Sequence, residues 1–300
     1  MRLLSAPGFE PLAAELLQGK GLRAGAYTLG RHPNREMHVK LAGGVAGERC
    51  VVLGTIAPPE ANLALVTLLA HTLRRAGARQ VTALLPYLGY ARQDKAPAEE
   101  SLGMAWVGGL LRAAGVDDVV TVDVHSPRDG ELLGLPLVSL SPADLFAAAI
   151  RARGLETATL VAPDQGAVAR CAAVRDRLGT QAAVISFVKE RSAGGVRLGE
   201  PSGAVGERAL LVDDILDTGA TLVLAARALV RQGVREIHVM VTHGGFSGRR
   251  WRALLRPPVR SLTTADTLPA RAGLEGALTR LPAAPLLRSY LEAEHAGGRG

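Results

Sequence analysis

The 300-residue chain is predicted to be an α/β protein of two tandem domains, each a mainly parallel sheet flanked by helices and related by duplication. Three observations predict this. Short apolar runs alternate with helix-length periodic segments along the whole chain, as parallel βαβ units require. Glycines fall just past the helical segments, at Gly77, Gly115, Gly179 and Gly233, where a left-handed cap is expected. Two stretches also repeat. Gly47-Glu48-Arg49-Cys-Val-Val-Leu-Gly54-Thr55-Ile56 aligns with Gly206-Glu207-Arg208-Ala-Leu-Leu-Val-Asp213-Asp214-Ile215, and Arg75-Ala-Gly77-Ala-Arg79-Gln-Val81 aligns with Arg231-Gln-Gly233-Val-Arg235-Glu-Ile237. The length suits two domains of about 150 residues. They are expected at 1–142 and 143–300, with the last helix a candidate to cross back to the first.

The elements follow in order. Met1–Lys20 reads as an amphipathic first helix and not a signal peptide, because Glu10 and Glu15 break its apolar stretch. Strands are predicted at Cys50–Gly54, Val81–Pro86, Val119–Asp123, Thr159–Ala162, Ala183–Phe187, Ala209–Val212 and Ile237–Thr242. Each is a brief apolar run ending in turn residues, which fits a strand covered on both faces. Helices are predicted at Leu63–Ala76, Met104–Ala114, Leu145–Ala152, Ala167–Leu178 and Thr221–Gln232, where apolar residues recur every three or four positions.

Composition narrows the function classes. Hydrophobic residues make up 48% against 21% charged, which excludes a disordered chain. Cys50 and Cys171 provide neither a disulfide framework nor metal spacing, so a reducing cytoplasm is expected. No apolar run is long enough to span a membrane. The net charge is +7, and only Lys20, Lys40, Lys95 and Lys189 among the 35 basic residues are not arginine. Arginine binds phosphate bidentately, so anionic substrates fit. Aromatics at 3%, with no basic cluster among them, argue against nucleic acid.

The densest chemistry lies in Ala209–Thr221. An apolar run leads into Asp213 and Asp214, then a tight Asp217-Thr218-Gly219-Ala220-Thr221 loop opens a helix. Open α/β sheets bind ligands at the carboxyl ends of strands, and free N–H groups at a helix start attract phosphate. The acid pair repels a bare phosphate unless hydroxyls or Mg²⁺ occupy the carboxylates. A sugar phosphate carries both a phosphate and a diol, so it fits. In the first half Gly54 and Thr55 replace the acids, and that half must do something else.

Other clusters are open to two readings. Arg92, Gln93, Asp94 and Lys95 leave a strand through a turn, either with Arg92 and Lys95 facing phosphates, Gln93 reading a base edge and Asp94 orienting Arg92, or as an exposed polar loop. Asp123 and His125 are expected on one face by period two, either orienting a metal-bound phosphate or simply hydrogen-bonded. Asp164 is either a Mg²⁺ ligand through water or a helix cap. Lys189 and Arg191 precede a glycine-containing stretch, either closing over a transferring phosphoryl group or forming a charged turn.

Together these segments, from about Leu53 to Leu287, resemble the ribose-phosphate diphosphokinase (phosphoribosyl pyrophosphate synthetase) family. The likeness rests on Pro86-Tyr-Leu-Gly89-Tyr90-Ala91-Arg92-Gln93-Asp94, Asp123-Val-His125, Pro163-Asp164, Lys189-Glu-Arg191 and Asp213–Thr221. Thr242-His243, Ser247-Gly248 and Pro285-Leu286-Leu287 are weaker matches. The resemblance implies two type I phosphoribosyltransferase-like domains and Mg²⁺-dependent transfer of a diphosphoryl group from ATP to ribose 5-phosphate. It implies a homo-oligomer, a dimer or a hexamer. It further implies that Asp213 and Asp214 hold the ribose hydroxyls and that Asp217, Thr218, Gly219, Ala220 and Thr221 cradle the 5-phosphate. By the same resemblance His125 and Asp164 position Mg²⁺, and Arg92, Gln93, Asp94, Glu36 and His125 contact ATP. Lys189 and Arg191 would stabilise the transferring group.

Three departures stand out. Only Glu36 of His32-Pro33-Asn34-Arg35-Glu36 matches the family's adenine-contacting loop. Ala96-Pro97-Ala98-Glu99-Glu100 replaces a basic stretch, and Gln165 replaces a histidine. A non-catalytic regulatory paralogue, or a phosphoribosyltransferase consuming the same product, is the alternative.

Overall fold

The structure, a computed structural model, describes residues 1–92, 97, 99–192 and 195–297; for 188–192 and 195–197 it describes the backbone alone. The chain divides into two units, Met1–Leu140 with Ala283–Gly300, and Ser141–Pro282.

The first unit runs β1 (Arg2–Ser5), α1 (Glu10–Leu16), β2 (Arg23–Ala24), β3 (Tyr27–Arg31), β4 (Met37–Leu41), β5 (Arg49–Leu53), α2 (Ala61–Arg75), β6 (Gln80–Leu84), α3 (Gly103–Ala113), β7 (Asp118–Val122), α4 (Asp129–Leu133) and β8 (Leu137–Leu140). Its sheet has the order β2-β1-β5-β6-β7-β8, with every neighbour parallel. Strands β3 and β4 form a separate antiparallel hairpin. Both faces of the sheet are covered, which is why β5, β6 and β7 read as unbroken apolar runs. Helix α2 buries Val66, Leu69, Ala70 and Leu73, the three-and-four spacing of one face.

The start of the chain corrects the expected single helix. Arg2–Ser5 pairs with β5 in the register Leu3↔Val51, and Leu3 and Leu4 are both buried. Strand pairing here overrides local periodicity. The helix is confined to Glu10–Leu16, with Pro11 in its first turn.

The second unit runs α5 (Ala143–Arg151), β9 (Thr159–Ala162), α6 (Val168–Leu178), β10 (Ile185–Ser192), β11 (Gly195–Pro201), β12 (Arg208–Leu216), α7 (Ala220–Arg231), β13 (Glu236–Gly244), β14 (Val259–Ala265) and β15 (Thr279–Leu281), with 3₁₀ turns at Gln165–Ala167 and Arg250–Leu255. The sheet order is β11-β10-β9-β12-β13-β14-β15, and only β10–β11 is antiparallel. After it, α8 (Ala284–Gly297) belongs to the first unit, where Leu287 and Leu291 are buried with Leu3, Phe9, Leu12 and Leu16.

The duplication is visible in topology. The parallel order β1-β5-β6-β7-β8 of one unit matches β9-β12-β13-β14-β15 of the other. Register agrees as well: Arg49 pairs with Gln80 and Arg208 with Glu236, and these are the positions the sequence repeat aligns. Gly77, Gly115, Gly179 and Gly233 have φ of 86°, 89°, 73° and 87°, the left-handed conformation that ends each preceding helix. Among the described residues no helix is long and apolar enough to cross a membrane.

Candidate active site

The strands of the second unit end at different heights. Strand β9 ends at Ala162 and pairs with β12 only as far as Leu211↔Val161. Strand β12 runs on to Leu216, held on its other side by β13 through Asp213↔Val241 and Ile215↔His243. Asp213 and Asp214 therefore lie inside a strand, not at its end as expected, on a stretch that has outrun its neighbour. The extra pairing with β13 is the reason.

Both acids are enclosed. Asp214 is 7% exposed. The Asp213 Oδ1 accepts the Asp214 N–H at 3.0 Å, and the Asp214 Oδ1 accepts the Ile215 N–H at 2.8 Å. Burial pushes the Asp213 carboxyl well above the ordinary carboxylate range. The charges of Asp214 and Asp164 push it the same way, and Arg170 opposes them. The Arg170 guanidinium lies 3.9 Å from Asp213 Oδ1, with its side chain only 10% exposed. Sequence reasoning missed Arg170. The available signal was a cation one turn into the helix that follows the Asp164 turn. Asp164 itself accepts the Gly166 N–H at 2.9 Å and caps the 3₁₀ turn.

The phosphate-type loop follows. Asp217 Oδ1 accepts the Ser247 hydroxyl, and Thr218 Oγ1 accepts the Ala220 N–H at 3.3 Å. Gly219 has φ 77°, and a Cβ there would sit 2.7 Å from the Trp251 Cα. Only glycine meets both the conformation and the close approach. Ala220 and Thr221 then open α7, whose first-turn N–H groups are the kind that bind phosphate. Behind the loop, His243 is buried, and its Nδ1 lies 2.8 Å from the Thr267 hydroxyl, which donates to the Thr242 carbonyl at 3.2 Å.

Lys189 and Arg191 differ from the expected loop. Their backbone lies in β10, paired with β11 through Lys189↔Leu198 and Arg191↔Val196.

In the first unit the strand ends carry other residues. Gly54 and Thr55 stand where the second unit has its acids, beside a cavity of about 180 Å³ lined partly by Pro7, Arg31, Thr55 and Asn62. At Gly89 a Cβ would lie 2.9 Å from the Ala57 Cα, so the turn into Tyr90 needs glycine. Arg92 is exposed just beyond it. Gln93 and Asp94 lie outside the described residues. His125 is exposed, and Asp123 has φ 53° past the end of β7. Period two therefore does not extend from Asp123 to His125, which corrects the expected shared face. Glu36 is exposed in the turn between β3 and β4, where its carbonyl accepts the His32 N–H at 2.9 Å.

Comparisons with known proteins agree with this architecture. Residues 1–115 match the N-terminal domain of ribose phosphate pyrophosphokinase, and residues 136–263 match the phosphoribosyl transferase domain. A ribose-phosphate pyrophosphokinase of Caldanaerobacter subterraneus subsp. tengcongensis is 32% identical over 261 residues, covering 86% of this chain and 83% of that one. The Granulibacter bethesdensis enzyme of the same name is 32% identical over 293 residues, covering 96% and 94%. The crystal structure of phosphoribosylpyrophosphate synthetase from Mycobacterium smegmatis superposes with a TM-score of 0.88 at 27% identity, over 99% of each chain. With both halves matched in order and at nearly full length, this chain belongs to the ribose-phosphate pyrophosphokinase family.

Proposed function

We propose that the chain is an active ribose-phosphate diphosphokinase. It transfers the diphosphoryl group of ATP to the C1 hydroxyl of ribose 5-phosphate and gives phosphoribosyl pyrophosphate and AMP. One observation carries the site assignment: an acid pair, Asp214 buried and Asp213 largely enclosed, beside a glycine-hinged loop at a helix start, present in one unit and absent from its repeat. That arrangement fits one ligand bearing a diol and a phosphate.

The residue roles are those that the resemblance to the family implies. Asp213 and Asp214 accept the ribose hydroxyls, while Asp217, Thr218, Gly219, Ala220 and Thr221 receive the 5-phosphate. Arg92, Gln93, Asp94, His125 and Glu36, all in the first domain, serve ATP. The C1 oxygen attacks the β-phosphorus in line, and a new C1–O–P linkage forms. The bond from the β-phosphorus to the bridging oxygen breaks, AMP departs with that oxygen, and the hydroxyl proton leaves to solvent. Lys189 and Arg191 stabilise the charge that develops. No covalent intermediate is required, so positioning and electrostatics supply the rate.

Phosphoryl transfer of this kind uses a divalent metal. Among the described residues no group of three or more His, Cys, Asp or Glu is placed to hold one. Mg²⁺ keeps most of its water and needs only one or two carboxylates, so Asp164 would meet that demand in the second unit, and His125 is the candidate ligand of the first. When bound, Mg²⁺ neutralises charge on the diphosphoryl oxygens. We place the enzyme in the cytoplasm as a homo-oligomer, a dimer or hexamer.

Incubation of the protein with ATP, ribose 5-phosphate and Mg²⁺ should release AMP in step with phosphoribosyl pyrophosphate. ATP binding without any AMP would instead favour a regulatory paralogue, a reading that the altered His32–Glu36 turn supports.

A further inference from the structure

A run of arginines follows β13, and its first members lie beside the loop that opens α7. From Ser247 to Ala265 the chain holds Arg249, Arg250, Arg252, Arg256 and Arg260 and no Asp or Glu. All five are exposed. Among the described residues none of them forms an ion pair.

The fold divides these five into two groups. The 3₁₀ turn Arg250–Leu255 docks against the start of α7, where Gly219 meets the Trp251 Cα. Trp251 is buried, edge-on to Phe246 at 5.0 Å between ring centres, and its indole N–H donates to the Gly248 carbonyl at 3.2 Å. The Arg252 guanidinium stacks on the Trp251 ring at 5.0 Å. Arg249 and Arg250 precede Trp251 directly, so their backbones lie within about 8 Å of the residue that touches Gly219. Arg256 and Arg260 come after the turn, where the chain enters β14 at its amino-terminal edge. The loop stands at the opposite, carboxyl edge of the sheet.

Asp213 and Asp214 precede the loop and Asp217 lies in it, so their charge opposes the approach of a phosphate dianion, with Arg170 beside Asp213 as partial relief. We propose that Arg249, Arg250 and Arg252 form a cationic collar that concentrates ribose 5-phosphate at the Asp217–Thr221 loop and takes no part in the chemistry. The inference rests on the assignment of that loop to the 5-phosphate.

The test compares Arg249→Gln/Arg250→Gln, which leaves the Arg252 stack intact, with Arg256→Gln/Arg260→Gln, which removes equal charge at the far edge. KM for ribose 5-phosphate, KM for ATP and kcat are measured at about 0.1 M and about 0.5 M salt, a range over which screening shortens from about 10 Å toward a few Å. The first variant is expected to raise the sugar phosphate KM about threefold or more at the lower salt, with kcat retained and the gap closing at the higher. The second variant stays near wild type, and KM for ATP does not move. Equal shifts in the two variants, identical salt dependence in all three proteins, or a shift confined to ATP would overturn the collar. If the first variant melts lower, Arg249→Lys/Arg250→Lys must restore the KM, and failure to do so counts against the proposal. A wild-type protein that makes no AMP sinks the assigned function and the collar with it. Product formation with an unmoved variant KM sinks the collar alone.

Discussion

Asp213 is held against its own charge. Burial and the neighbouring acids favour its neutral form in the fold, so its folded pKa lies above the unfolded value near 3.9. Such a group contributes stability below the unfolded pKa and loses that contribution as pH rises through the folded pKa. At neutral pH the ligand-free protein therefore carries a penalty that Asp213→Asn removes. We expect this variant to melt about 2–4 °C higher, for roughly 1 kcal/mol, while calorimetry detects no ribose 5-phosphate binding. Unchanged binding would remove Asp213 from the site. Gly219 is a second point where function dictates residue type. Gly219→Ala meets both the positive φ and the Trp251 backbone, so a loss of about 1–3 kcal/mol is expected, together with a raised KM for the sugar phosphate. Chemical denaturation and steady-state kinetics on the same preparation check both. Asp-Thr-Gly could be read from the sequence as a tight loop. The arrival of Trp251 against Gly219, and of Arg170 beside Asp213, could not, because each partner comes from a distant element.

Elements divide by how they are buried. Strands covered on both faces, such as β5 and β12, are near-continuous apolar runs and were legible. The β3–β4 hairpin is half-exposed along both strands, and its weak alternation hid it. The sequence pattern ends β12 four residues short because Asp213 and Asp214 look like a stop, and only pairing with β13 carries the strand past them. The same difficulty applies to β10, where charged residues resembled a loop and antiparallel pairing with β11 made a hairpin. Lys189→Ala on that hairpin should lower kcat about a hundredfold or more, since losing one charge-stabilising donor typically costs ~3 kcal/mol. Its KM for ribose 5-phosphate should barely move. Pre-steady-state quench measurements of AMP would show the chemical step slowed. Turnover at the wild-type rate would leave the hairpin without a catalytic part.

At the scale of the whole molecule, each unit depends on its own core. Burial raises the Cys50 thiol to about 11 and the Cys171 thiol to about 12, from an ordinary 9.0. Unfolded chains release these protons first, so the stability the thiols contribute is intact below about pH 9 and declines as pH climbs toward their folded values. Denaturation midpoints should fall across that alkaline range, and both thiols should resist alkylation until the chain unfolds. Leu287 on α8 offers a probe of the first unit. Leu287→Ala should remove about 2–5 kcal/mol, with hydrogen exchange rising in α1 and β1 and little changed in β12 and β13.

The return of α8 sets an order of events during synthesis. Residues Ser141–Pro282 form an uninterrupted segment, whereas the first unit lacks a wall of its core until Ala284–Gly297 emerges. On the ribosome the later-encoded half can reach its native packing first, and the earlier one must wait with Leu3, Leu12 and Leu16 uncovered. Nascent-chain binding by holdase chaperones should accordingly concentrate on the amino-terminal region.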